Sequence, residues 1–317
     1  MPRFASLLID GRPVAARIEE DNSTGKAATT AAAATTTTAA TTATATTAAT
    51  TTTATTATAV PLRGIAELGR DTPSDVLADD SLLDRDAAVA LDDPSVTIRP
   101  VVPRPDKVIC VGLNYREHVA ESLRDEPEYP VLFTKWASTL TGPTDPIALP
   151  AESTKIDYEG ELVVVIGRRA RRVAKADALS VVAGYAVAND LSMRDFQHKS
   201  HQWLQGKAWD ASTPVGPFLV TPDEVPDPQA LRLRTIVNGR TVQDATTDLM
   251  IFDVATLVAA VSEFATLQPG DLILTGTPGG VGVRRDPPLL LGPGDVVAVE
   301  VDGVGRIENT MKEEDRR

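Results

Sequence analysis

The chain has 317 residues and a formal net charge of −13, with 44 acidic side chains against 31 basic ones. That balance argues against nucleic acid or an anionic membrane as a partner, because phosphate-rich surfaces would be repelled. The length is enough for one large domain with a smaller one attached.

Residues 1–97 are expected to form the smaller, N-terminal domain. The start of the chain lacks a basic segment followed by an apolar one, which argues against a signal peptide. Residues 27–59 contain only alanine and threonine, 15 and 18 of them. Such a tract has little apolar mass to offset its ordering entropy and no pattern to fix a register, so it is expected to be a disordered insertion. Four prolines between Asp93 and Pro105 mark an extended linker, placed at 98–105, and residues 106–317 form the main domain.

Within that domain short β-branched runs dominate. They are Val108–Val111, Leu162–Ile166, Tyr185–Ala188, Phe218–Val220, Leu231–Val237, Leu272–Thr275 and Val296–Val301, separated by turn signals such as Asn238-Gly239 and Pro293-Gly294-Asp295. Helical patterns are fewer. One covers Val254–Phe264, with Asp253 as N-cap and Leu257, Val258, Val261 and Phe264 as its apolar face. A shorter one carries His118, with Asn114 as its cap. The pattern predicts a β-rich α+β fold. Cys110, the single cysteine, lies in an apolar run and reads as an inert core thiol in a reducing cytoplasm. No run approaches the roughly 18 apolar residues of a membrane span. The cluster Arg168, Arg169, Arg171 and Arg172 reads as a solvated turn.

The chemistry concentrates in a few places. Glu159 and Glu161 stand two apart at the start of a strand and so project to one face. Buried together they would repel, a conflict that a hard divalent cation resolves; otherwise they are the solvated end of a strand. Asn189-Asp190 ends a second apolar run, with Arg194, Gln197 and Lys207 close behind. Acids at adjacent strand ends beside such donors suit an oxygen-rich metal and anion site, and the absence of Cys and His there favours Mg²⁺ or Mn²⁺ over Zn²⁺. His118 and Glu121, three apart on a helix, form either an ordinary surface pair or a carboxylate-oriented base. Gly276-Thr-Pro-Gly279-Gly280-Val-Gly282 follows a strand, but the Val-Arg-Arg-Asp-Pro-Pro after it cannot open a phosphate-binding helix. No Gly-x-Ser-x-Gly elbow is present.

Taken together, Gly112-Leu-Asn-Tyr-Arg-Glu-His118-Val-Ala-Glu121, Asp157-Tyr-Glu159-Gly-Glu161, Asn189-Asp190-Leu-Ser-Met-Arg194-Asp195-Phe-Gln197, Gly206-Lys207 and Leu274-Thr-Gly-Thr277-Pro-Gly-Gly-Val-Gly282 resemble the fumarylacetoacetate hydrolase family in order and spacing. The resemblance spans roughly residues 105–310. Residues 1–20 and 60–80 also look like the small N-terminal domain of its bacterial members. It implies a mixed β-roll catalytic domain, usually dimeric. Glu159, Glu161 and Asp190 match the metal carboxylates. His118 and Glu121 match a lid dyad that activates water, and Lys207 a lysine that stabilises developing negative charge. Arg194, Gln197 and Thr277 match residues that line the site and hold substrate oxygens. Where the larger animal-type branch carries a further acidic ligand, Val111 and Leu113 stand here, so a three-carboxylate site is expected. The match is to the branch of bacterial acylpyruvate hydrolases and 2-hydroxyhepta-2,4-diene-1,7-dioate isomerases.

The implied activity is hydrolysis of the C–C bond of a 3-acylpyruvate such as fumarylpyruvate, in aromatic-compound catabolism, through a pyruvate enolate stabilised by Mg²⁺ and Lys207. Decarboxylation of oxaloacetate or isomerisation of a 2-hydroxydienoate passes through the same enolate and is the alternative. A non-catalytic scaffold would show a broken metal trio or dyad, and neither is seen.

Overall fold

The computed structural model describes residues 3–20 and 57–314. A 12-stranded sheet runs from the N-terminal strands Ala57–Pro61, Arg12–Glu20 and Arg3–Ile9 through Thr213–Val220, Val182–Asn189, Gly160–Ile166 and Leu272–Leu274 to Val108–Gly112 and Val131–Lys135. Most neighbours along this path are antiparallel, and Leu272–Leu274 lies parallel to Val108–Gly112. A five-stranded sheet, ordered Arg240–Thr246, Arg232–Val237, Val296–Val301, Gly305–Glu313 and Ile147–Leu149, packs beside it. The architecture is the expected β-rich α+β roll.

Strand Gly160–Ile166 organises the core because its side chains alternate between two fully apolar environments. Leu162, Val164 and Ile166 pack with Tyr185, Val187, Leu233, Val299 and the helix Val254–Phe264. Val163 and Val165 point the other way, toward Phe4, Ala15, Val60, Leu68 and Cys110. A strand buried on both faces reads as a continuous apolar run, which is why the sequence shows it so clearly. The acids at its entrance sit where the strand emerges from this core.

The expected strands are present, several of them longer than their apolar runs. The helix Val254–Phe264 forms with Asp253 accepting from the Thr256 N–H. Leu257, Val258 and Val261 are buried, whereas Phe264, assigned to the same face, is 60% exposed because the helix ends there and the chain turns away. Asn114 does not cap the His118 helix, Arg116–Glu121, whose N-cap is Tyr115. Its buried amide instead donates to the carbonyls of Thr275 and Phe252 and accepts from the Phe252 N–H, tying three chain segments together.

Most of the alanine/threonine tract lies outside the described residues. Its last three, Ala57–Ala59, are a correction to the reading of 27–59 as disordered: they belong to a strand, with Ala57 paired to Glu20 and Ala59 to Ile18. Residues 21–56 therefore join two adjacent antiparallel strands, a position that tolerates insertion because the ends already meet. The N-terminal strands continue the main sheet through Arg3–Ile9 against Thr213–Val220. In the proline-rich segment 98–105, Val101 and Val102 are buried and the Val101 N–H donates to the Val215 carbonyl. The Arg168–Arg172 turn is largely exposed, and Arg171 donates to the Ser262 carbonyl in the last turn of Val254–Phe264, where a cation is favoured.

Candidate active site and metal centre

Glu159, Glu161 and Asp190 converge at the ends of the paired strands Gly160–Ile166 and Val182–Asn189, with one oxygen of each within 4.8 Å of the others. All three are buried. Their surroundings separate them. Glu159 meets Lys207 Nζ at 2.6 Å and Arg194 Nη2 at 2.7 Å. Burial raises its pKa, but the charges of Lys207 and Arg194 outweigh that and bring it down to about 2. Asp190 is held by Lys207 Nζ at 2.8 Å and by Lys135 Nζ at 2.5 Å.

Among the described residues Glu161 accepts only the Gly276 N–H, at 2.7 Å, and no lysine or arginine is in ion-pair contact with it. Burial, then Asp190 and Glu159, push its pKa well above the usual carboxylate range. This cluster of four buried carboxylates, Asp157 included, faces three buried cations, and the uncompensated one is at Glu161. A hard divalent ion fits that deficit, since the donors are all oxygen and buried unpaired charge is costly. Val111 and Leu113 line the cleft where a further acid would stand.

Across the cleft, His118 Nδ1 lies 2.8 Å from Glu121 Oε1. With Nδ1–H donating to that carboxylate, Nε2 is the nitrogen left to act as a base. Glu121 is itself held by the Gly280 N–H at 2.8 Å. The glycine loop thus has a definite use. Its amides at Gly276, Gly280 and Gly282 bind Glu161, Glu121 and Asp157, three of the protein's own carboxylates rather than a phosphate. Positive φ angles at Gly276 and Gly280 turn those amides inward.

His118, Glu159, Arg194, Gln197, Lys207 and Thr277 all line one cleft of about 60 Å³. Glu121 stands behind His118, with Glu161 and Asp190 deeper. Thr277 Oγ1 accepts from Gln243 Nε2 at 2.8 Å, which leaves its own proton free to donate. Arg194 donates Nε–H to Asp157 and Nη1–H to Gln197, and its Nη2 lies 2.7 Å from Glu159 Oε1 in an ion pair. Of the other polar residues near the motifs, Asp195 and Asp210 accept from Ser153 and Ser138, while His198 reaches the cleft.

Three supporting residues escaped sequence reasoning: Lys135, Asp157 and Gln243. Lys135 ends the apolar run Val131–Lys135, and a cation there was a readable signal. Asp157 takes four donors, the N–H groups of Tyr158, Gly282 and Val283 and the Nε–H of Arg194. Asp157→Asn turns an amide NH₂ toward some of those donors and removes an anion from buried Arg194. The expected loss is about 3–5 kcal/mol of stability, read from the urea midpoint. Gly160, between the two glutamates, has no room for a side chain: an added Cβ would lie 2.2 Å from Thr235 Oγ1 and 2.9 Å from Val299 Cγ1. Gly160→Ala is expected to cost about 1–3 kcal/mol by overpacking and to weaken divalent-ion binding, both read by thermal unfolding with and without Mg²⁺.

Comparison with known proteins agrees with this geometry. Residues 107–312 match the family described as fumarylacetoacetate (FAA) hydrolase C-terminal. The mitochondrial oxaloacetate tautomerase FAHD2A of Homo sapiens is 47% identical over 218 residues, 68% of this chain and 69% of that protein. The crystal structure of 2-hydroxyhepta-2,4-diene-1,7-dioate isomerase from Mycobacterium marinum superposes over the whole of both chains, with a TM-score of 0.74 and 31% identity. Maleylpyruvate hydrolase from Sphingobium sp. SYK-6 aligns over 72% of this chain and 78% of its own, with a TM-score of 0.61 and 34% identity.

Proposed function

The chain belongs to the fumarylacetoacetate hydrolase family and is an enzyme, and on that premise we propose that it interconverts the keto and enol forms of a small 2-oxo acid of the oxaloacetate type. The observation that carries this reading is the His118–Glu121 pair, whose imidazole lines one cleft with Glu159 and Lys207. The relative named as an oxaloacetate tautomerase supports the same reading.

His118 Nε2 takes a proton from C3 of the 2-oxo acid. The electron pair moves into the C2–C3 bond and onto the 2-oxo oxygen, and return of the proton to that oxygen gives the enol. No water or CO₂ enters or leaves. Glu121 holds the imidazole in the productive tautomer and stabilises its charged form. Lys207 and the Thr277 hydroxyl present positive charge and a donor toward the cleft, where the oxygen becomes negative. A divalent cation held by Glu159, Glu161 and Asp190 would act as a Lewis acid toward the 2-oxo group, and the all-oxygen donor set favours Mg²⁺ or Mn²⁺.

A second reading is hydrolysis of a 3-acylpyruvate, favoured by the same dyad, which can as readily deprotonate water, and by the likeness to a maleylpyruvate hydrolase. We also propose a homodimer, to be checked by sedimentation. Among the described residues no helix is long and apolar enough to cross a membrane.

The test follows the ultraviolet absorbance of enol oxaloacetate, with and without EDTA, while pyruvate is assayed in parallel. Metal-dependent acceleration of enol decay without pyruvate release supports the tautomerase. Pyruvate released from an acylpyruvate, with enol decay at the buffer rate, replaces it with the hydrolase. Pyruvate released from oxaloacetate marks a decarboxylase.

A further inference from the structure

Two arginines line this cleft without serving the carboxylate cluster. Arg124 and Arg284 border it, both exposed, and among the described residues neither pairs with an acid. In a chain of net charge −13 most arginines find acidic partners, as Arg3, Arg17, Arg85 and Arg306 do. A pair of guanidiniums left facing a cleft is therefore a local positive field in a negative molecule.

The backbone of each is fixed. Arg124 follows the His118 helix through a helix-ending turn in which the Leu123 N–H meets the Ala120 carbonyl and the Arg124 N–H the Val119 carbonyl, with Leu123 at φ 54°. The Arg124 guanidinium lies 5.9 Å from the centre of the Trp203 ring, another wall of the cleft. Arg284 ends the turn Gly282–Arg284, whose first two amides are fixed by Asp157. His198 shares the cleft, and its pKa is lowered by partial burial and then by Arg194, Arg124 and Arg284.

Arg194, the arginine expected to hold substrate, is buried and ion-paired with Asp157 and Glu159. Among the described residues, the lining arginines without an acid partner are Arg124 and Arg284.

We propose that Arg124 and Arg284 bind the second carboxylate of a dicarboxylic acid and so set the preference of the site for dicarboxylates over monocarboxylates. This rests on the reading of the inner cleft as the place of a 2-oxo acid head group. Planar guanidiniums can grip a carboxylate through two parallel N–H bonds, and two of them would hold it as the remote handle by which the reacting carbons are positioned.

Malate and lactate are unreactive 2-hydroxy acids that differ by one carboxylate, so they isolate this contact. Calorimetric titrations with Mg²⁺ at fixed ionic strength should show wild type binding malate at least about tenfold more tightly than lactate, the gain expected of charge-assisted pairs. In Arg124→Gln/Arg284→Gln the ratio should fall to near one with lactate affinity unchanged. Arg169→Gln, in the exposed arginine turn, should leave the ratio at its wild-type value. The assignment is overturned by a wild type without preference, by a double variant that keeps it, or by an equal loss in Arg169→Gln. If malate preference holds but oxaloacetate enol decay is not accelerated, the tautomerase reading falls and the arginine assignment stands. If enol decay is accelerated yet malate binds no better than lactate, the arginine assignment alone falls.

Discussion

Glu161→Gln is expected to abolish divalent-ion binding and lower turnover by about 10³-fold, while the metal-free protein stays at least as stable as wild type. The two effects have one cause. Glu161 is the buried carboxylate with no cationic partner among the described residues, and burial together with Asp190 and Glu159 makes its charge unfavourable. The amide keeps the shape and removes the charge, so the metal-free fold loses nothing electrostatic. The metal site loses one of three anionic oxygens, and with it the charge stabilisation on which the reaction depends. Thermal unfolding reads both. Mg²⁺ at about 100 times its dissociation constant should stabilise wild type by about 2.7 kcal/mol, and the variant should show no shift. A variant whose unfolding temperature still rises with Mg²⁺ would place the ion elsewhere.

His118→Ala should lower enol–keto exchange by about 10²–10⁴-fold, the usual worth of a positioned general base. It should leave the Mg²⁺-induced stabilisation intact, because His118 belongs to the helix Arg116–Glu121 and not to the strand ends that carry the acids. Glu121→Gln should follow at a smaller loss: the amide can still accept from Nδ1 or from the Gly280 N–H, but it no longer stabilises the imidazolium. Any decarboxylation of oxaloacetate needs no base at C3 and should survive His118→Ala. Exchange that persists at the wild-type rate in that variant would remove the dyad from the mechanism.

The β-rich character of the chain was legible because its central strands are buried on both faces. Runs such as Leu162–Ile166 and Val296–Val301 contain almost nothing else that could be read. The acids and the histidine were legible for a related reason: charged groups set at the ends of apolar runs have few bland explanations. Phe264 and Asn114 show the limit. Periodicity placed one on the core face and cap preference placed the other at a helix start, but where the helix ends and which carbonyls lie opposite the amide are set by the rest of the fold.

By itself the sequence determined which residues would be buried along each strand and which side chains could offer oxygen to a cation, since both follow from local pattern and residue chemistry. Only the tertiary structure decided how those charges are balanced. Lys135 meets Asp190 across 55 residues, and Asp157 fixes the Gly282 amide across 125. No local pattern encodes such pairings. They arise when antiparallel strands bring distant ends together and burial then demands a partner for every charge. Among the described residues the same closure leaves Glu161 without a cation in contact and sets Arg124 and Arg284 at the cleft without an acid partner.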